Sequence, residues 1–279
     1  MKKYCNLFFL FCAVSLIPVL CHASDWDFDS DGDVDGKDLY FLTGTFSSDD
    51  LEPFVAAFGS VESLEVTCGA YVAPGVWKEF DCYNLAAIGK NTNDDPFTPS
   101  WRLNGGYWHW GRKGPDPSQW YNTNTPDFAH GPTGPGAGEA NSGSINGWDH
   151  THAPNGAWSD AAKTANDPCP AGYRVPTKTQ WDGVLNNNTQ SVVGTWPTTS
   201  NNHTNYSTAR FFGDGLMLPA AGGRGSNAGH LGGRGSIGYY WPSSEYSFAS
   251  AWYLEVHDIG ARTKVGNRQS GFSVRCIAE

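Results

Sequence analysis

The sequence predicts an α+β architecture: a loop-rich domain of short antiparallel strands and few helices, with a small helical module in front of it. Three stretches predict it. Cys169-Pro-Ala-Gly-Tyr-Arg-Val-Pro-Thr177 reads as a short strand held between two prolines of fixed φ, and Gly172 permits a tight turn. Thr177 then suits an N-cap, and Trp181, Val184 and Leu185 give the next segment an apolar stripe at helical spacing. Gly271-Phe-Ser-Val-Arg-Cys276 reads as a second short strand, with alternating apolar residues and a cysteine at its end. The third stretch, Asp27-Phe-Asp-Ser-Asp-Gly-Asp-Val-Asp-Gly-Lys-Asp38, sets carboxylates at alternate positions around a glycine.

At the front of the chain, Lys2-Lys3 and the apolar run 7–20 predict a secretory signal peptide over 1–23, cleaved after Ala23. The run is too short for an ordinary membrane span. Cys21 raises the alternative of lipidation, but Leu20 is a poor residue to precede a lipidated cysteine. Of seven cysteines, three lie in this leader. Cys68, Cys82, Cys169 and Cys276 remain, an even number in an exported chain, which predicts two disulfides.

Residues 24–62 hold eleven acids and one lysine, while 63–279 are nearly balanced, with seventeen acids and fifteen bases. Neither part has the basic face that nucleic acid requires. Within the acidic front, Asp27, Asp29 and Asp31 stand at positions 1, 3 and 5 of a calcium loop. Gly32 takes the sharp turn at 6, Asp33 offers its carbonyl at 7, Val34 stands at 8 and Asp38 closes the loop at 12. Asp35, at position 9, acts through water. Alternate carboxylates converge on one point in such a loop, and Ca2+ takes six to eight hard oxygens. Asp rather than Glu at position 12 resembles dockerin repeats, which implies a cohesin-like or surface partner. A second loop of that kind is not recognisable here, so a calcium-clamped spacer is an equal expectation. Leu39-Tyr-Phe-Leu42 is expected to be the helix leaving the loop, and Leu51, Phe54, Val55 and Phe58 the apolar face of a second helix in this module.

Beyond Cys68 the chain is rich in Gly, Pro, Asn and Trp. The segments 72–77, 82–87 and 107–110 read as short strands, and 114–156 as loop with Pro-Gly and Asn-Gly turns. Trp120, Trp148 and Trp158 are expected to tie that loop down as core filler, with stacking on sugars the alternative. Two copies of Gly-Arg-Gly-Ser, at 223–226 and 233–236, are expected to flank a flexible turn.

CPAGYRVPT with Trp181, then Leu216-Met-Leu-Pro-Ala-Ala-Gly222, Gly238-Tyr-Tyr-Trp-Pro-Ser-Ser244, Ala251-Trp-Tyr-Leu254 and GFSVRC resemble, in order, the motifs of the Fibrobacter succinogenes major paralogous domain. The resemblance covers about 69–277. It implies a C-type-lectin-like fold over 63–279, similar in shape to formylglycine-generating enzymes, in a protein secreted by a bacterium or displayed on its surface. With sequence proximity, the family pattern favours Cys68–Cys82 and Cys169–Cys276 among the three possible pairings. Formylglycine-generating enzymes use two nearby cysteines before the C-terminus. Cys276 stands alone there, which argues against that activity.

No nucleophile elbow is present, and His150-Thr-His152 and Asp94-Asp95 read as a solvated turn and as caps. The expectation is therefore a binding protein for an extracellular protein or glycan. An accessory or catalytic part in polysaccharide breakdown and a structural envelope protein are the alternatives. The ligand face is expected on the C-terminal hairpins, at Tyr240, Trp241, Glu245, Tyr246, Tyr253, Glu255, His257 and Arg262. Alternation in 251–256 places Trp252, Leu254 and Val256 toward the core and Tyr253 and Glu255 outward. The polar stretch 258–271 is expected to be loop.

Overall fold

The structure is a computed structural model, and it describes residues 66–113, 144, 148–197 and 205–279. The signal peptide, the calcium loop at Asp27, Asp29, Asp31, Asp33 and Asp38, the two helices of that module and Trp120 lie outside the described residues. By contacts the chain divides between Val66 and Thr67, and the account below concerns the second unit.

That unit is mostly loop and short antiparallel strands, with one α-helix among the described residues. β1 (Gly69–Ala73) and β2 (Val76–Glu79) form a hairpin, so 72–77 is not one strand. Pro74 fixes φ and Gly75 takes φ of 71°, which reverses the chain between them. The 82–87 and 107–110 segments are likewise not regular strands; Trp108 makes a single bridge to Phe272. Ala86, at positive φ, interrupts extended chain within 82–87, and Gly105 and Gly111, also at positive φ, bound 107–110 on either side.

β3 (Tyr173–Arg174) forms between the two prolines, as the sequence predicts. α1 (Lys178–Asn187) follows, with Thr177 and Gln180 closing a reciprocal capping box. Its buried residues are Trp181 and Val184. It rests directly on β1: a Cβ on Gly183 would stand 1.7 Å from the Val72 carbonyl oxygen. Helix propensity alone would make Gly183→Ala stabilising by about 1 kcal/mol. Here the clash decides the sign, and a net loss of about 2–3 kcal/mol is expected in denaturant unfolding. A gain in stability would show that helix and hairpin are not in this contact.

β4 (Gln190–Val193), β5 (Ala209–Phe212) and β6 (Leu216–Pro219) make an antiparallel sheet. β7 (Gly223–Arg224) and β8 (Leu231–Gly232) pair across the first Gly-Arg-Gly-Ser copy. β9 (Gly238–Tyr240), β10 (Glu245–Ser247), β11 (Ser250–His257) and β12 (Gly260–Asn267) form the largest sheet. β11 is its centre, with β12 along one side and β9 and β10 sharing the other. The expected loop at 258–271 is therefore, over most of its length, a strand in eight-residue register with β11. Its own pattern is weakly apolar, and the pairing comes from β11 rather than from its side chains. β13 (Ile277–Ala278) closes on β3. The preceding stretch 271–276 is extended, but makes only isolated bridges to Trp108, Arg224 and Tyr240.

β11 carries core on both faces. Leu254 and Val256 pack with Trp181, Val184, Phe212 and Tyr240 on one side. Ala251 packs with Trp108, Trp110, Trp158, Trp241, Phe272 and Val274 on the other. Trp148 is also buried, so the tryptophans described in 107–158 fill the core. Two disulfides fasten the unit, Cys68–Cys82 and Cys169–Cys276, the pairing that the resemblance implied. Disulfides of this kind are compatible with an extracellular location. Among the described residues no helix is long and apolar enough to cross a membrane.

Candidate functional site: a glycine-walled groove with an aromatic floor

Two-sided burial of β11 redistributes the eight expected ligand residues. Tyr240 and Trp241 are fully buried, one in each core, and this corrects their placement on an exposed face. Tyr240 donates its hydroxyl hydrogen to the Pro219 carbonyl at 2.6 Å, and Trp241 its Nε1 hydrogen to the Trp108 carbonyl at 2.6 Å. Glu245 and Tyr246 lie on β10. Glu245 accepts from Arg268 at 3.1 Å, and exposed Tyr246 sets its ring edge-on to Trp252. Trp252 is half-exposed, covered by Tyr246 and by the Lys178 ammonium 4.6 Å from its ring.

The remaining four do come together on one face of the sheet. Glu255 is buried rather than outward-facing, because Arg262 donates to it at 2.9 Å and Lys264 at 3.3 Å from the neighbouring strand. His257 Nε2 stands 3.9 Å from it. Tyr253 occupies the same face, half-buried.

Next to this cluster the face opens into a groove of about 630 Å3 that the sequence alone does not reveal. Its floor is Tyr239, Tyr253 and Phe272, with Tyr239 and Phe272 stacked at 4.8 Å and Tyr253 tilted against Phe272 at 5.1 Å. Burial pushes both tyrosine hydroxyls up to about 12, with Glu255 adding to it, so they stay protonated donors. Ser226, His230, Asn267 and Ser270 bring polar groups to the walls.

One wall is the β7–β8 hairpin, which begins in the first Gly-Arg-Gly-Ser copy and runs directly into the second. Both arginines are fully buried, so the two copies anchor the ends of the turn that they flank. Arg224 donates to the Gly229 carbonyl at 2.6 Å and lies 5.8 Å from the centre of the Tyr107 ring. Burial lowers its pKa to about 10, which leaves it charged at neutral pH. Arg234 reaches the Tyr206 hydroxyl at 3.3 Å and lies 5.5 Å from the centre of that ring. Tyr107 donates to the Ala221 carbonyl at 2.7 Å, and Arg224 exchanges backbone hydrogen bonds with Gly271 at 2.7 and 2.8 Å. The arginines thus pin from behind a loop that its glycines would otherwise leave free.

The glycines divide into two kinds. A Cβ on Gly223 would stand 2.7 Å from the Phe272 ring, and one on Gly266 would stand 2.9 Å from Tyr253, so packing requires both. Among the described residues, a Cβ on Gly232 would meet nothing within 4 Å, and one on Gly225 only the His230 carbonyl at 3.8 Å. These two open the groove without being needed by the fold. The repeated Gly-Arg-Gly-Ser was the available sequence signal, but a glycine's role in leaving space has no side chain to announce it.

Elsewhere, Asp94 and Asp95 serve as local caps, accepting from Thr92, Arg102, Phe97 and Thr98. His150 is exposed, and His152 lies against Phe248. No protein-family model matches the chain, and no curated protein or solved structure is significantly similar to it.

Proposed function

We propose that this is an exported ligand-binding protein of C-type-lectin-like fold, related to the Fibrobacter succinogenes major paralogous domain, whose ligand occupies the glycine-walled groove. The observation that carries the reading is the space at Gly225 and Gly232, held open beside a packed aromatic floor. A preformed concavity with rings and a few polar groups is the usual form of a small-ligand site. Ring, hydroxyl, amide and imidazole groups suit holding a ligand, whereas a glycosidase needs two facing carboxylates. Binding is therefore preferred to catalysis.

The test is retention of members of a mixed glycan and peptide library by the mature chain and by Gly232→Val. A valine there projects into open space, so melting should be unchanged while retention falls by about tenfold or more. Undiminished retention by the variant would place the ligand elsewhere.

In front of this unit we propose a calcium-clamped module with ligands Asp27, Asp29, Asp31, the Asp33 carbonyl and Asp38, serving as a spacer or as the docking point for a cohesin-like partner. Calorimetry should find about one Ca2+ per chain, in the affinity range of such loops. Asp27→Ala with Asp31→Ala should abolish it, and unchanged binding would contradict the ligand set.

A further inference from the structure

We propose that the groove takes a neutral, hydroxyl-rich ring, a sugar unit of a glycan, and takes it without a metal ion. This rests on the groove being the binding site, and it names the class of ligand.

Three features select that class. First, the described side chains that line the groove carry almost no usable charge, and Glu255 beside it is already paired with Arg262 and Lys264. Arg224 is the one formally charged side chain among the described lining residues, and its guanidinium is turned to the Gly229 carbonyl and the Tyr107 ring. Among the described lining residues there is no carboxylate, the kind of ligand a hard cation prefers. Second, the polar groups present can both give and take hydrogen bonds. Ser226 and Ser270 offer hydroxyls and Asn267 an amide, and the hydroxyls of Tyr239 and Tyr253 remain protonated well above neutral pH. Such groups match hydroxyls, which are themselves donor and acceptor at once. The three rings offer the apolar surface that the C–H face of a sugar ring requires.

Third, backbone groups of the wall are already used. Arg224 and Gly271 pair in both directions, Gly225 donates to the His230 carbonyl at 2.9 Å, and β7 pairs with β8. An extended peptide binds a sheet edge chiefly through main-chain hydrogen bonds, and this wall has few to give it. Recognition falls to side chains and ring faces, which favours the sugar.

The experiment uses the mature full-length chain on an array of neutral gluco-, manno-, xylo- and galacto-oligosaccharides beside a peptide library, with and without EDTA. Retention of at least one neutral oligosaccharide is expected, unchanged by EDTA. Gly232→Val should lower it by about tenfold or more, and Tyr253→Ala should weaken it more than Tyr253→Phe. Tyr71→Ala, on the β1–β2 hairpin, should leave it unchanged. Loss of glycan retention in EDTA that is also seen in the Asp27→Ala with Asp31→Ala chain, whose front loop no longer holds Ca2+, overturns the metal-free proposal. Failure to retain any neutral saccharide, by a chain that melts cooperatively, overturns the sugar class; Gly232-dependent retention of a peptide would then leave the groove itself standing. Glycan retention indifferent to Gly232→Val overturns the groove as the site.

Discussion

Replacing both Cys169 and Cys276 by alanine is expected to remove about 4–5 kcal/mol of stability, a large share of the roughly 5–15 kcal/mol that a domain has. The bond joins residues 107 apart, and the entropy that a cross-link removes from the unfolded chain grows with the loop it closes. It also ties the approach to β3 to the entrance of β13, so the two strands are held where they pair. Cys68–Cys82 spans only 14 residues, and its loss should cost nearer 3 kcal/mol. Denaturant unfolding of the two double variants measures the difference. Equal losses would mean that the longer bridge does not act mainly through the unfolded chain.

Arg275→Met is expected to cost about 3–5 kcal/mol, although methionine packs well and arginine is ordinarily a surface residue. Arg275 is fully buried, and its Nε and Nη2 donate to Asn84 Oδ1 at 3.0 and 2.9 Å. Nη1 donates to the Asp81 and Cys82 carbonyls at 3.2 and 2.9 Å. Methionine would leave an amide oxygen and two carbonyls with their hydrogen bonds unmade, and this outweighs the gain from burying a thioether. Arg275→Lys should recover little, because an ammonium cannot reproduce the planar fork. A loss below about 1 kcal/mol for Arg275→Met would show that water replaces the guanidinium at little cost.

What could be read from the sequence was local. Thr177 announces a helix start by the chemistry of its own side chain, and Pro170 and Pro176 bound a strand by fixing their own φ. What could not be read was decided by pairing and by burial on two sides. Gly260–Asn267 looks like a loop because its polar residues find their partner, Glu255, on another strand. Tyr240 and Trp241 look like a ligand surface only while β11 is taken to have one wet face. Arg224, Arg234, Arg268 and Arg275 are all fully buried, where composition would place them outside. The groove is not legible in the sequence for the complementary reason: Gly225 and Gly232 contribute by leaving space.

Hydrogen exchange of the mature chain, free and saturated with the library member it retains best, is the most direct measurement of where the ligand sits. Added protection is expected in 223–233 and 266–270, the two walls of the groove, with β1 and β2 unaffected. Protection confined to 245–250, or to 148–158, would contradict the assignment of the groove as the binding site.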